Sequence, residues 1–147
     1  MATKSGVSLN WGGFDKAMGK AAHKLGDTQA LMESVGEALR SGTIERFDAE
    51  EDPQGKKWKP SARAMAGGGK TLDKESHLKD SIDYAATSDK VMVGSNLPYA
   101  RIHQLGGKTG KGHKVDMPAR PYLGVSEEDM DEVRETMADF LAGAFKA

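Results

Sequence analysis

The sequence predicts an α+β fold, a small antiparallel sheet packed by a long N-terminal helix and a C-terminal helix, with mobile loops between them. Three observations carry that expectation. Leu31, Met32, Val35, Ala38 and Leu39 recur at helical spacing. Residues 81–87, which alternate roughly with period two, and the apolar run 91–94 flank the turn pair Ser88-Asp89. Ser126 opens a final stretch whose Met130, Val133, Met137, Phe140, Leu141 and Ala144 form one apolar stripe. At 147 residues the chain has room for a single domain, 1–147, around a single core.

The elements follow in order. Residues 1–14, with Gly12-Gly13, read as a flexible arm, although Leu9, Trp11 and Phe14 could dock onto the rest. Asp27 or Thr28 can cap the first helix, whose pattern runs on towards Phe47. Gly42 and Thr43 weaken its second half, since glycine costs about 1 kcal/mol in a helix interior. Asp52-Pro53-Gln54-Gly55 stops regular structure with turn residues. Trp58, set between Lys57 and Lys59, is expected to fold back onto the core, as a large ring with one polar atom does. Arg63 to Thr71 contains three consecutive glycines and reads as a mobile loop.

Leu72 to Leu78 fits a short helix, and the two segments after it fit a hairpin. Pro98 suits a helix N-terminus, which predicts a short helix through Tyr99, Ile102 and His103 to Gly106. Residues 106–114 hold four glycines and three lysines (Lys108, Lys111 and Lys114) and read as a mobile basic loop. Ser126 and Asp129 have the spacing of a capping box, and Glu127 to Glu132 place acid where the helix dipole favours it.

Composition narrows the function. A hydrophobic content of 37% and a mean hydropathy of −0.59 are low for a compact domain, so part of the chain is loop or is covered only on assembly. The absence of cysteine rules out disulfides and thiolate metal sites and points to a reducing compartment. No apolar run approaches the roughly 18 residues of a membrane span, and the N-terminus lacks a signal-peptide core. A soluble protein made in the cytoplasm, with no membrane partner, is expected. The net charge of −1 conceals a split: residues 1–52 carry 6 basic and 9 acidic side chains, 53–120 carry 13 and 6, and 121–147 carry 2 and 7. Such segregation hints at head-to-tail contact between copies or at a basic loop facing an acidic partner.

Chemical motifs are weak. Gly67-Gly-Gly-Lys-Thr71 has half of a phosphate-binding loop, but Ala64 stands where the first glycine belongs; at 107–109 the same place is taken by Ile102. His103 and His113 lack the further ligands a zinc site needs, and His103 reads as a hydrogen-bonded structural residue. No Gly-x-Ser-x-Gly elbow supports a nucleophile. The basic loop has no interleaved aromatics for reading nucleic acid, which leaves only diffuse contact with a phosphate backbone. No cofactor and no metal are expected.

The pattern of motifs carries more. Phe47 precedes Asp52-Pro53-Gln54-Gly55, Trp58 and Pro60; Leu78, Ser81 and Ile82 lead to Val91-Met-Val-Gly94. Tyr99-Ala-Arg-Ile-His-Gln-Leu-Gly106 and Met117-Pro-Ala-Arg-Pro-Tyr-Leu-Gly124 follow, and Ser126-Glu-Glu-Asp129 opens the last helix. In this order the motifs resemble the phage virion morphogenesis family, the tail-completion proteins of Mu-like and P2-like phages and prophages. Tyr122 departs from the phenylalanine common there, and the Arg63–Thr71 loop follows no family pattern. The resemblance implies a non-enzymatic virion protein, assembled in the bacterial host cytoplasm, that completes the tail or joins it to the head. It implies a ring of copies, hexameric by the habit of tail-end proteins. Its partners would be the tail tube or terminator and head–tail connector proteins, with non-specific contact to DNA in the pore. A tail terminator that halts tube polymerisation is the alternative within the class. An alternative of another class is a small metal- or phosphate-dependent enzyme using Arg101, His103 and Arg120.

On this reading Trp58, Tyr99, Ile102, His103, Gln104, Arg120, Pro121 and Tyr122 form a structural junction or interface. Tyr99, Ile102 and Leu105 would pack the short helix onto the hairpin, and His103 and Gln104 would hydrogen-bond the loop that follows. Pro118 and Pro121 would stiffen the approach to the last helix. Arg120 would pair with a carboxylate in the core or at a subunit interface.

Overall fold

The computed structural model describes residues 7–8, 28–73 and 75–146. Of the expected arm only Val7–Ser8 falls among them; Leu9, Trp11, Phe14 and Asp27 lie outside the described residues. The described elements are β1 (Val7–Ser8), α1 (Gln29–Ala49), α2 (Ala62–Met65), α3 (His77–Asp80), β2 (Asp83–Ala86) and β3 (Val91–Ser95). They continue with α4 (Ala100–Leu105), β4 (Gly107–Thr109), a 3₁₀ turn at Lys111–His113, β5 (Val115–Met117) and α5 (Glu127–Lys146). The fold is α+β: long helices near each end, and two small antiparallel sheets.

The larger sheet has the order β1-β3-β2, with Asp83 opposite Gly94 and Ala86 opposite Val91. Thr87 N–H donates to the Lys90 carbonyl at 2.9 Å, closing the turn at Ser88-Asp89 where the sequence placed it. Val91 and Val93 alternate inward and are buried. They face the stripe of α1 formed by Leu31, Met32, Val35 and Leu39, each at most 2% exposed. Ala38 is only half-buried.

Side chains along α1 fasten it to β2 and its flanks. Gln29 Nε2 donates to the Ala86 carbonyl at 2.9 Å and Arg40 Nε to that of Ile82 at 2.9 Å. Thr28 does not cap its own helix; its hydroxyl donates to the Ser88 carbonyl in the hairpin turn. The hydroxyl is turned to the packed hairpin as a donor, and its oxygen accepts from no N–H of the helix's first turn. Gly36 is the contact point for Tyr84: a Cβ there would lie 2.3 Å from Tyr84 Cδ2.

The segment after α1 is tied down by local bonds. Asp52 Oδ1 accepts from the N–H groups of Gln54 and Lys56, both at 2.9 Å, making the expected turn. Ser61 caps α2 by accepting from Ala64 N–H at 3.1 Å. The Arg63 guanidinium donates to the carbonyls of Gly68 and Lys70, so the three-glycine stretch folds back on a helical turn that sequence did not suggest. The predicted helix at Leu72–Leu78 is displaced to His77–Asp80, because Leu72 and Ser76 both take positive φ (64° and 59°). Lys79 Nζ lies 3.0 Å from the Asp73 carboxylate and 3.6 Å from that of Asp48. Burial acts to raise the pKa of Asp73, but hydrogen bonds from Ser76 and Lys79 outweigh it and hold the carboxyl below its ordinary value.

Ser126 and Asp129 form a reciprocal capping box: Ser126 Oγ accepts from Asp129 N–H at 2.9 Å, and Asp129 Oδ2 accepts from Ser126 N–H at 3.0 Å. The expected apolar stripe of α5 is only partly buried. Val133 is 1% exposed, Met137 and Phe140 pack on the core half-buried, and Met130 and Leu141 are also half-exposed. The side chain of Ala144 lies outside the described ones. Asp129 is buried nearly as deeply as Val133 on that face, at 4% exposed.

Candidate assembly interface

The two motif-bearing segments, 99–106 and 117–124, meet side by side. Gln104 binds them: its Oε1 accepts from the N–H groups of Tyr122 and Leu123, both at 3.0 Å, and its Nε2 donates to the Leu123 carbonyl at 3.2 Å. The buried Tyr122 hydroxyl donates to the Ala100 carbonyl at 2.7 Å, and Arg120 N–H to that of His103 at 2.8 Å. Residues 119–124 belong to no helix or strand. Much of their backbone is bonded instead by Gln104, by the Trp58 and Arg46 side chains and by the His103 carbonyl.

Gly106 makes the geometry possible. Its φ of 71° and ψ of −179° suit glycine alone, and a Cβ there would lie 2.7 Å from the Ala119 nitrogen. The glycine–lysine stretch beyond it, expected as loop, forms the β4–β5 hairpin, with Lys108 opposite Asp116 and Thr109 opposite Val115. Lys108 Nζ and the Asp116 carboxylate lie 2.7 Å apart across that pair. Lys111, His113 and Lys114 occupy the exposed tip.

Trp58 lies where its ring was expected, 6% exposed, with Nε1 donating to the Pro121 carbonyl at 2.8 Å. Its ring meets Phe47 edge-on at 5.6 Å, and Phe47 in turn meets the Tyr122 ring at 5.3 Å. Burial pushes the Tyr122 phenol far above its ordinary pKa, so it is a fixed donor.

Three expectations need correction. Tyr99 and Leu105 do not pack α4 inward: they are 41% and 52% exposed, and Ala100 and Gln104 take the buried face. Six residues give too few turns for apolar spacing to fix which side faces in, and Gln104's three hydrogen bonds decide it. Arg120 meets no carboxylate among the described residues. Its Nε donates to the Lys59 carbonyl at 2.7 Å and its Nη1 lies 3.7 Å from Met117 Sδ. His103 is not a hydrogen-bonded histidine either: its Nδ1 is buried without a partner, and its ring stands edge-on to Tyr99 at 5.9 Å. Burial, and then the nearby Arg120 charge, lower its pKa, so the ring is held neutral.

The buried carboxylate partner belongs to Arg46. Its Nη1 contacts Asp129 Oδ2 at 2.8 Å, its Nε donates to the Tyr122 carbonyl at 2.8 Å, and its Nη2 reaches the Gly124 carbonyl at 3.0 Å and Thr43 Oγ1 at 3.2 Å. This one side chain joins α1, the 119–124 segment and the capping box of α5. Asp129 fits because residue 42 is glycine: a Cβ there would lie 2.0 Å from Asp129 Oδ1. Sequence reasoning missed the arginine, although it sits three and seven residues beyond Thr43 and Leu39 on the buried stripe.

Outside the junction lies a groove of about 630 Å³, with Tyr99, His103, Val115, Met117 and Arg120 on one side and Ala62, Leu72 and Leu78 on the other. Arg101 is exposed on α4, and Ile102 is half-buried. Among the described residues no group of three or more His, Asp and Glu is arranged to hold a metal ion, and no helix is long and apolar enough to cross a membrane. The arrangement is a rigid joint beneath an exposed apolar and basic rim.

Known proteins resemble most of the chain. The model of the phage virion morphogenesis family matches residues 9–142. The chain is 33% identical over 124 residues to "Mu-like prophage FluMu G protein 2" of Haemophilus influenzae, covering 84% of this chain and 86% of that one. It is 27% identical over 128 residues to "Putative capsid assembly protein G" of Escherichia phage Mu, covering 80% and 82%. No solved structure matches.

Proposed function

The chain belongs to the phage virion morphogenesis family, and from that premise we propose that it is a structural, non-enzymatic subunit that completes the phage tail or joins it to the head. It works in the virion as a ring of copies, hexameric by analogy with tail-end proteins. It contacts the tail tube or its terminator on one side and connector proteins on the other, with DNA passing the lysine-bearing hairpin tip.

The single observation that carries this reading is the family match across residues 9–142. The geometry agrees in kind. Of the three residues the enzyme alternative would use, Arg120 is engaged on the Lys59 carbonyl, Arg101 is exposed on α4, and His103 Nδ1 is buried without a partner. Around the groove beside α4 the molecule offers solvent a rim of apolar and basic side chains, which suits a contact surface.

The test is a phage or inducible prophage lacking the gene, imaged by electron microscopy. Tails of normal length that fail to join heads would support completion or joining. Overlong tails would favour the terminator alternative, and normal infectious particles would overturn both. Light scattering of the purified chain reads the ring directly.

A further inference from the structure

Apolar surface is unevenly spread. Among the described residues, the large hydrophobic side chains left exposed are Met65 at 70%, Tyr99 at 41%, Leu105 at 52% and Val115 at 51%. Three of the four stand on or beside α4 and the β4–β5 hairpin, and Tyr99 and Val115 line the groove shared with α2, which carries Met65. On that hairpin Lys111 and Lys114 are exposed, and neither has an ion-pair partner among the described residues.

A surface of opposite sign lies elsewhere. A second groove, of about 660 Å³, runs between α1 and α5 and is walled by Glu37, Glu45, Glu128, Asp131 and Glu132, with no basic residue in its lining. It shares no lining residue with the first. Arg40 answers Glu37 at 3.6 Å and Arg134 answers Asp131 at 3.1 Å, while Glu45, Glu128 and Glu132 have no cation among the described residues.

We propose that the face formed by α4 and the β4–β5 hairpin docks onto the acidic α1–α5 face of a second copy of this chain, head to tail. The inference deepens the ring reading and rests on it. A contact between two different patches of one subunit repeats around a rotation axis, which is how rings close. Patches of opposite sign orient such a contact, and like-charge repulsion disfavours pairing either face with itself. Tyr99, Leu105 and Val115 supply the apolar area removed from water, and Lys111 and Lys114 set the register against Glu128 and Glu132.

The test uses the full-length chain in low salt, with size-exclusion light scattering for mass and circular dichroism as the control for folding. The Lys111→Glu/Lys114→Glu and Glu128→Lys/Glu132→Lys variants should each associate about tenfold or more weakly, because each sets like charges against one another. A chain carrying all four substitutions should recover the ring. Rings indifferent to either reversal would overturn the proposal and leave the ring reading standing. Reversals that dissociate the ring with no recovery in the combined variant would overturn this pairing of faces. A wild-type chain that stays monomeric at every concentration would overturn both readings.

Discussion

The Arg46 guanidinium stands 2.8 Å from the Asp129 carboxylate, with both side chains withdrawn from water. The two residues are 83 positions apart, and Asp129 is also the capping residue of α5. Deleting one partner of such a pair strands the other as a buried charge, at a cost of about 3–5 kcal/mol. Arg46→Ala and Asp129→Ala should each lower stability by that order in urea unfolding. The double variant should lose far less than the sum, and losses that simply add would contradict the coupling.

Gly42→Ala should destabilise, against the helix-propensity gain of about 1 kcal/mol that alanine normally brings. The added methyl would stand 2.0 Å from Asp129 Oδ1, where α5 cannot retreat without opening the ion pair. Gly36→Ala should behave likewise through Tyr84, whose ring lies 2.3 Å from the would-be Cβ. A rise in thermal midpoint for either variant would show that α5 or the Tyr84 ring yields more easily than this packing allows.

Gln104→Leu leaves the N–H groups of Tyr122 and Leu123 buried without an acceptor. At about 1–3 kcal/mol for each stranded group, the loss should far exceed that of Tyr122→Phe, which removes one neutral hydrogen bond worth about 1 kcal/mol. Chemical denaturation of the two variants side by side gives the ranking.

His103 predicts a pH dependence with a definite sign. Its folded pKa lies below the ordinary 6.5, because burial and then Arg120 oppose its protonation. Below pH 6.5 the unfolded chain therefore binds a proton that the folded chain refuses. The contribution of His103 is complete above that pH and is lost as pH falls towards the folded value. His103→Gln should flatten this part of the stability profile. An unchanged slope between wild type and variant would assign it to another group.

Sequence was legible where periodicity was long. Leu31 to Leu39 and Val91 to Val93 gave the first helix and the hairpin, and Ser126 with Asp129 gave the start of the last helix. It was illegible where one polar side chain decides the outcome. The phase of α4 depends on Gln104 finding two N–H groups 18 and 19 residues away. The carboxylate expected beside Arg120 lies beside Arg46 instead, since spacing shows that a residue faces the core but not what it meets there. Glycine at 42 read as a helix weakness because the close approach of Asp129 is set by the opposing helix. Segments 99–106 and 117–124 lie side by side, and the chemistry between them is backbone satisfaction.

The ion pair between α1 and α5 also bears on the order of events during synthesis. Arg46 leaves the ribosome long before Asp129 does, and until then its charge has no carboxylate to justify burial. Docking so distant in sequence forms late, after the cost of closing a long loop has been met. A chain that ends before α5 therefore lacks Asp129, the buried Val133 and the α5 side of the acidic groove together. In such a fragment Arg46 has no carboxylate to offset its burial, so it should be less stable than the full chain.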